Sequence, residues 1–362
     1  MTTVAISGAE GALRSRISEA LTQLFDHVIS FTAGLDAVSL AEVESVVHLA
    51  FSEDSDQKNL IGLLELATEA EISRLVIVSS AMVYGAWPNN SIPLSEDAAV
   101  RPNPESTFAV HQADAERTAL EWADLNPDRQ VTILRPTAVA SPNASGLIGE
   151  ALLAAAPIRT RRDDPPQQFV HLDDLATAVA TVVQLEDSGV FNVAPDGWLT
   201  AREVRDLVGA RPTIRLPVPL PGRLDRYVAR RVGHQAPTGL LPYTRYPWVV
   251  ANDRLRSTGW VPRYGNDQVF VAAEAGMPWD SMNAKQRQNV SLGVGATAVI
   301  GLLYALGSWL KRTISRHHNY SSSPTSMLST NSCSLRQILN DAISPGCNIR
   351  ASTTNAPISG TI

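Results

Sequence analysis

Residues 74–79 read Arg74-Leu75-Val76-Ile77-Val78-Ser79, four consecutive apolar residues between a cation and a hydroxyl. A run this short, apolar without alternation and rich in β-branched side chains, predicts a strand buried on both faces rather than a helix. Upstream, residues 60–71 have helical character, Val46–Ala50 is another apolar run, and His27–Phe31 reads as a further strand. The chain opens with a short strand over residues 2–7, then Gly8 and a helix to about Leu24. Downstream, a helix is expected over Ser106–Leu125, followed by the strand Val131–Leu134, which ends at Arg135-Pro136. Continuously apolar strands alternating with helices predict an α/β protein whose parallel sheet is covered by helices on both faces.

The 362 residues are 44% hydrophobic and 18% charged, which places the chain among globular proteins with an ample core. A formal net charge of −6, with no cluster of Lys and Arg interleaved with aromatics, argues against nucleic acid as a partner. Lys58, Lys285 and Lys311 are the only lysines, so none stands between Lys58 and Lys285. Both cysteines, Cys333 and Cys347, fall near the C-terminus, which leaves the body without a thiol nucleophile, a disulfide or a Cys-based metal site.

From Pro136 to about Gly276 the pattern loosens, Pro and Gly become frequent, and a smaller substrate-side region is expected there. The expected organisation is a folded domain over 1–285, with its nucleotide-binding part at about 1–136 and its substrate side at about 137–285. Asn289 to Leu310 carries no charge and as a helix would span about 33 Å, so a transmembrane helix is expected at 289–310. With no export signal at the N-terminus, the folded part is expected in the cytoplasm, anchored to the cell membrane. Residues 313–362, rich in Ser, Thr and Asn, are expected to be a disordered tail.

The first turn reads Ser7-Gly8-Ala9-Glu10-Gly11-Ala12-Leu13-Arg14. Glycines after a first strand let the backbone turn sharply and approach a pyrophosphate, which the following helix N-terminus favours. This resembles the T-G-x-x-G-x-x-G turn of the short-chain dehydrogenases/reductases, with Arg14 in the third glycine's place. Five further stretches match in the right order: Val47-His48-Leu49-Ala50, Ser79-Ser80-Ala81-Met82-Val83-Tyr84-Gly85, Leu134-Arg135-Pro136, Val170-His171-Leu172-Asp173-Asp174-Leu175-Ala176 and Phe191-Asn192-Val193-Ala194. Together they identify the chain as similar to the extended branch of that family, the NAD-dependent epimerases and dehydratases. The resemblance implies a Rossmann-like sheet and NAD or NADP as cofactor, contacted at Gly8, Gly11, Arg14, Ala50 and Pro136. It also implies a catalytic serine at Ser80, a pocket residue at Tyr84, and a small-molecule substrate such as a nucleotide sugar. A homodimer through helices 60–71 and 106–125 is implied by analogy. His48, Arg135, His171 and Asp173 read as structural hydrogen-bond partners.

The departures bear on chemistry. The family's tyrosine and lysine stand four residues apart on one helix face, and here those places hold Phe108 and Gln112. Phenylalanine has no proton to give and glutamine no charge with which to lower a neighbour's pKa. Tyr84 is the only tyrosine before Tyr227, so a slip in register does not restore the motif, and His111 is the nearby substitute acid. Only sixteen residues separate Phe31 from His48, where the family fits a helix and a third strand; Val38-Ser39-Leu40 reads as a remnant of that strand. No acid follows Phe31 directly to hold an adenosine ribose, so cofactor binding is expected to be weak. Two readings follow: an active enzyme with an altered proton relay, or a membrane-tethered binder of a nucleotide or metabolite that has lost the hydride chemistry.

Overall fold

Strand residues alternate between the two faces of a sheet, so a continuously apolar strand needs a cover on each side. The computed structural model describes residues 3–274 apart from 9, 32–39, 41, 51–55, 143, 145, 156–157, 160–163, 186–187, 209–213 and 216–238. It satisfies that demand with six parallel strands in the order β2-β1-β3-β4-β5-β9. These are β1 (Thr3–Gly8), β2 (His27–Phe31), β3 (Val43–Leu49), β4 (Arg74–Val78), β5 (Gln130–Pro136) and, later in the chain, β9 (Gly189–Val193). Helices α1 (Ala12–Thr22), α2 (Asp56–Glu69) and α3 (Thr107–Leu125) fall between the strands. After β5 come β6 (Ala138–Ala140), α4 (Leu147–Ala155), β7 (Ile158–Arg159), β8 (Phe169–His171) and α5 (Leu172–Gln184). Beyond β9 come α6 (Ala201–Val208), β10 (Ile214–Arg215), α7 (Leu241–Arg245), α8 (Asp253–Ser257) and α9 (Asn266–Glu274).

The two covers follow from the alternation. Val4, Ile6, Val47, Leu49, Val76, Val78 and Leu134 face one way and meet Ile17 and Leu21 of α1 and Leu175 and Val179 of α5. Ala5, Val46, Leu75, Ile77, Val131 and Ile133 face the other way, onto Leu60, Leu63 and Leu64 of α2 and Ala115, Ala119 and Trp122 of α3. The Trp122 indole N–H donates to Thr68 Oγ1 at 2.9 Å, which ties α3 to α2. A third apolar cluster joins the 3₁₀ turn Ala81–Tyr84 to Phe108, Phe169, Tyr243, Trp248 and Phe270.

Two regions differ from the family's pattern or lie beyond the description. Residues 32–42 alone carry the chain from β2 back across β1 to β3, and Leu40, the one described part of the expected strand remnant, is buried in the α2 cluster. Among the described residues β2 therefore ends the sheet, and its side chains are largely exposed. The expected membrane span at 289–310 and the expected tail at 313–362 lie outside the described residues. Among the described residues no helix is long and apolar enough to cross a membrane.

The last described segment is bound to the loop after Gly85, to β8 and to α5 by specific bonds. Leu94 and Val250 form a parallel bridge, the Gln168 amide bonds both backbone groups of Val250, and Asn266 Oδ1 accepts from the Phe169 N–H. Asp174, fully buried in α5, accepts the backbone N–H groups of Arg263 and Tyr264 at 2.9 and 3.1 Å. Burial pushes its carboxyl above the usual carboxylate range, against the pull of those two donors.

Candidate functional site

The turn after β1 is built by two glycines for separate reasons. Gly8 has φ +99°, and a Cβ there would stand 2.3 Å from the Leu49 carbonyl oxygen, so the turn presses directly on β3. Gly11, at φ +132°, is the N-cap of α1 and provides no side-chain cap, which leaves the first-turn N–H groups of the helix open. Arg14, one turn into α1, does not point to solvent. Its Nη2 donates to the carbonyls of Gly8 and Phe31, the latter at 3.1 Å, and its side chain is 12% exposed. The guanidinium thus bridges the carboxyl ends of β1 and β2.

The next strand ends hold the other expected residues. Ala50 follows β3, donating its N–H to the Val78 carbonyl at 3.3 Å and accepting from Nε2 of Gln112. Ser80 follows β4 and caps the 3₁₀ turn, its Oγ accepting from the Met82 N–H at 3.2 Å. Ser106 caps α3 and sets its rotation, so that Phe108, Gln112, Ala115, Glu116 and Ala119 are buried toward the sheet. Pro136 closes β5, opposite Val193 of β9. The fold therefore gathers Ala50, Ser80, Phe108, Gln112 and Pro136 at neighbouring strand ends. His111 is exposed, turned away from the face that carries Phe108 and Gln112, so it is not brought to this place.

A sequence model of the NAD dependent epimerase/dehydratase family matches residues 9–194, which contain all of these positions except Gly8. The chain belongs to that family. An uncharacterized protein of Mycobacterium tuberculosis (strain ATCC 25618 / H37Rv) is 25% identical over 249 residues, covering 63% of this chain and 64% of the relative. An uncharacterized protein of Sinorhizobium fredii is 26% identical over 237 residues, covering 62% of this chain and 56% of the relative. This chain thus spans less than two thirds of the length of these curated relatives. Among solved structures, dTDP-glucose 4,6-dehydratase of Bacillus anthracis in complex with NAD superposes with TM-score 0.56 at 15% identity, covering 76% of this chain and 96% of that one. UDP-glucose 4-epimerase of Thermotoga maritima with UDP-glucose gives TM-score 0.56 at 14% identity, covering 76% and 98%. These likenesses establish the fold.

An epimerase/dehydratase site needs a group that exchanges a proton with a substrate oxygen at neutral pH. Two buried tyrosines approach the Phe108 position, and both are placed to keep their protons. The Tyr84 hydroxyl donates to Asn192 Oδ1 and accepts from Arg135 Nη1, each at 2.8 Å, and burial pushes its pKa up despite the nearby guanidinium. Tyr84, expected to line a substrate pocket, is 1% exposed with its hydroxyl held by Asn192 and Arg135. Tyr243, which sequence reasoning missed, donates to the Met82 carbonyl at 2.8 Å within the Phe108 cluster, and burial pushes its pKa up as well. Nothing local in the sequence flags Tyr243; only the closing of α7 over the 3₁₀ turn brings it there.

Sequence reasoning also missed Glu116, one turn beyond Gln112 on the same face of α3. Its carboxylate takes a forked pair from Arg135, with Nη2 at 2.6 Å and Nε at 3.0 and 3.1 Å, and the Ser79 hydroxyl at 2.6 Å. A spacing of eight residues from Phe108 was the available signal. Ser141, His171 and Asp173 look like a nucleophilic triad, with Oγ to Nε2 at 3.3 Å and Nδ1 to Oδ2 at 3.6 Å. Yet His171 Nδ1 accepts the Asp173 backbone N–H at 3.2 Å as the cap of α5, so its proton sits on Nε2. That tautomer donates to Ser141 and cannot take its proton.

The two ends of this site differ. At the ends of β3 and β5, Gln112 Oε1 and Thr137 Oγ1 are buried without partners among the described residues, which suits a hydroxyl-bearing ligand. Toward β2, the arginine lies across the strand ends where the adenosine ribose belongs, and the strand finishes in Phe31. Arg14 thus lies at the end of the cradle where an adenosine ribose would be held.

Two stability predictions follow from these buried groups. Glu116→Ala leaves Arg135 charged and unpaired, and urea denaturation should show a loss of about 3–5 kcal/mol, largely restored in Glu116→Leu/Arg135→Met. A loss under about 1 kcal/mol would mean that the pair does not hold α3 to β5. His48, 1% exposed, accepts from or donates to Ser7 Oγ through Nδ1 at 2.9 Å, while Nε2 has no protein partner. Burial lowers its pKa from 6.5 to about 4, so between those values the unfolded chain binds the proton and the folded one does not. Stability should fall as pH drops through that window, by up to about 3 kcal/mol, and the His48→Asn variant should lose this share of the slope. Equal slopes in the two proteins would contradict the assignment.

Proposed function

We propose that this family member binds a nucleotide sugar or a similar hydroxylated small molecule at the carboxyl ends of β3, β4 and β5, and does not carry out proton-coupled hydride transfer. The carrying observation is Gln112: its amide is bonded to the Ala50 carbonyl, and no cation stands where the family's lysine would lower a tyrosine's pKa. Phe108 beside it is buried among apolar side chains, and His111 faces away. Ligand binding is favoured by the Ser80 hydroxyl and the unpartnered polar atoms of Gln112 and Thr137, which converge on strand ends. The ligand class is that of the fold neighbours crystallised with UDP-glucose or NAD. NAD or NADP binds weakly, no tighter than about 10 μM, or roughly 7 kcal/mol.

The test is a turnover screen of the full chain with nicotinamide cofactors and a panel of nucleotide sugars, alongside Phe108→Tyr/Gln112→Lys. The expected result is no wild-type turnover, with activity emerging in the double variant. General acid–base assistance contributes about 10²–10⁴-fold, so a restored pair should be plainly visible. Robust wild-type turnover that disappears in His111→Ala would overturn the reading.

The charge-free run 289–310 further supports a tether to the membrane, with the folded part in the cytoplasm. The full chain should sediment with membranes after gentle lysis, resist a high-salt wash and be released by detergent. Recovery in the soluble fraction would remove the tether from the proposal.

A further inference from the structure

The Arg14 side chain occupies an unusual position for a cation. It lies in the first turn of α1, where the helix macrodipole disfavours positive charge. Its acidic neighbour Glu10 is 3.9 Å away and 76% exposed. The guanidinium donates inward to main-chain carbonyls, those of Gly8 and Phe31, at the ends of two adjacent strands. A ligand lying across β1 and β2 meets that same edge. The turn cannot retreat from the arginine toward β3, because Gly8 already presses on Leu49. Meanwhile the phosphate-facing features, Gly8, Gly11 and the uncapped helix start, are intact.

We propose that Arg14 is a built-in competitor for the adenosine ribose: its guanidinium bonds across the ends of β1 and β2 in the free protein and must be displaced before a dinucleotide can lie there. This rests on the reading that the strand ends bind a nucleotide, and it names which end is closed. The arginine selects against dinucleotides while leaving the β3–β5 end open, so the preferred ligand lacks an adenosine arm.

The test is calorimetric titration of the full chain and of the Arg14→Gly and Arg14→Ala variants with NAD, NADP and nicotinamide mononucleotide. Both variants should bind NAD at least about tenfold more tightly than wild type, equivalent to about 1.4 kcal/mol. The mononucleotide, which lacks the adenosine arm, should bind all three proteins alike. Arg14→Ala keeps a good helix former in α1 and serves if Arg14→Gly unfolds. NAD affinity unchanged, reduced or undetectable in a folded variant would overturn the proposal. So would a loss of NADP binding alone, since Arg14 would then be a ligand of the 2′-phosphate. Wild-type turnover would sink the non-catalytic reading without moving this comparison of affinities.

Discussion

A carboxylate and a guanidinium cannot be left single inside a sheet protein, and the Glu116–Arg135 pair shows how much structure that constraint organises. Each charge is costly to bury, and the cost is offset only when the geometry is forked and the remaining lone pairs are filled. Here Ser79 fills one carboxylate position, and Tyr84 accepts a guanidinium N–H and donates its own hydroxyl to Asn192. One connected set thus joins β4, the 3₁₀ turn, α3, β5 and β9. The Asn192 backbone N–H also donates to Glu96 Oε1, which brings the loop after Gly85 into the same set. The rotation and height of α3 over the sheet are consequences of this pairing.

That arrangement separates the support of the site from its chemistry. Glu116 lies eight residues from Phe108, about 12 Å along the helix axis. The helix can therefore be held in register by its distal half while the proximal half exchanges one side chain for another. Phe108 and Gln112 are compatible with the fold because Ser106 and Glu116 set the helix from both sides. The buried tyrosines nearby have become part of the support, with hydroxyls committed to Asn192 and Met82.

Much of this was legible before any coordinates. The continuous apolar strands imply a two-sided parallel sheet because alternation sends neighbouring residues to opposite covers, and β3, β4 and β5 form as their runs suggest. Gly8, Gly11, Ser80, Phe108 and Gln112 were recognisable by order and spacing, and the exposed face of His111 follows from its helical offset. What escaped was set by contacts distant in sequence. Tyr243 reaches Met82 across 161 residues, Asp174 reaches Arg263 across 89, and neither partner belongs to a periodic pattern. The direction taken by Arg14 was equally hidden, since a first-turn arginine at a protein surface ordinarily extends into water.

The setting of Phe108 also constrains the family's history at this position. Its ring is 5% exposed and shares a cluster with Met82, Val83, Tyr243 and Trp248. A reversion to tyrosine would place a phenolic oxygen among apolar carbons, at a cost of about 1–3 kcal/mol if it found no partner. With Gln112 rather than a cation alongside, that oxygen would gain no acidity in return. Neither substitution alone therefore supplies an acidic phenol at this place; the two are needed together.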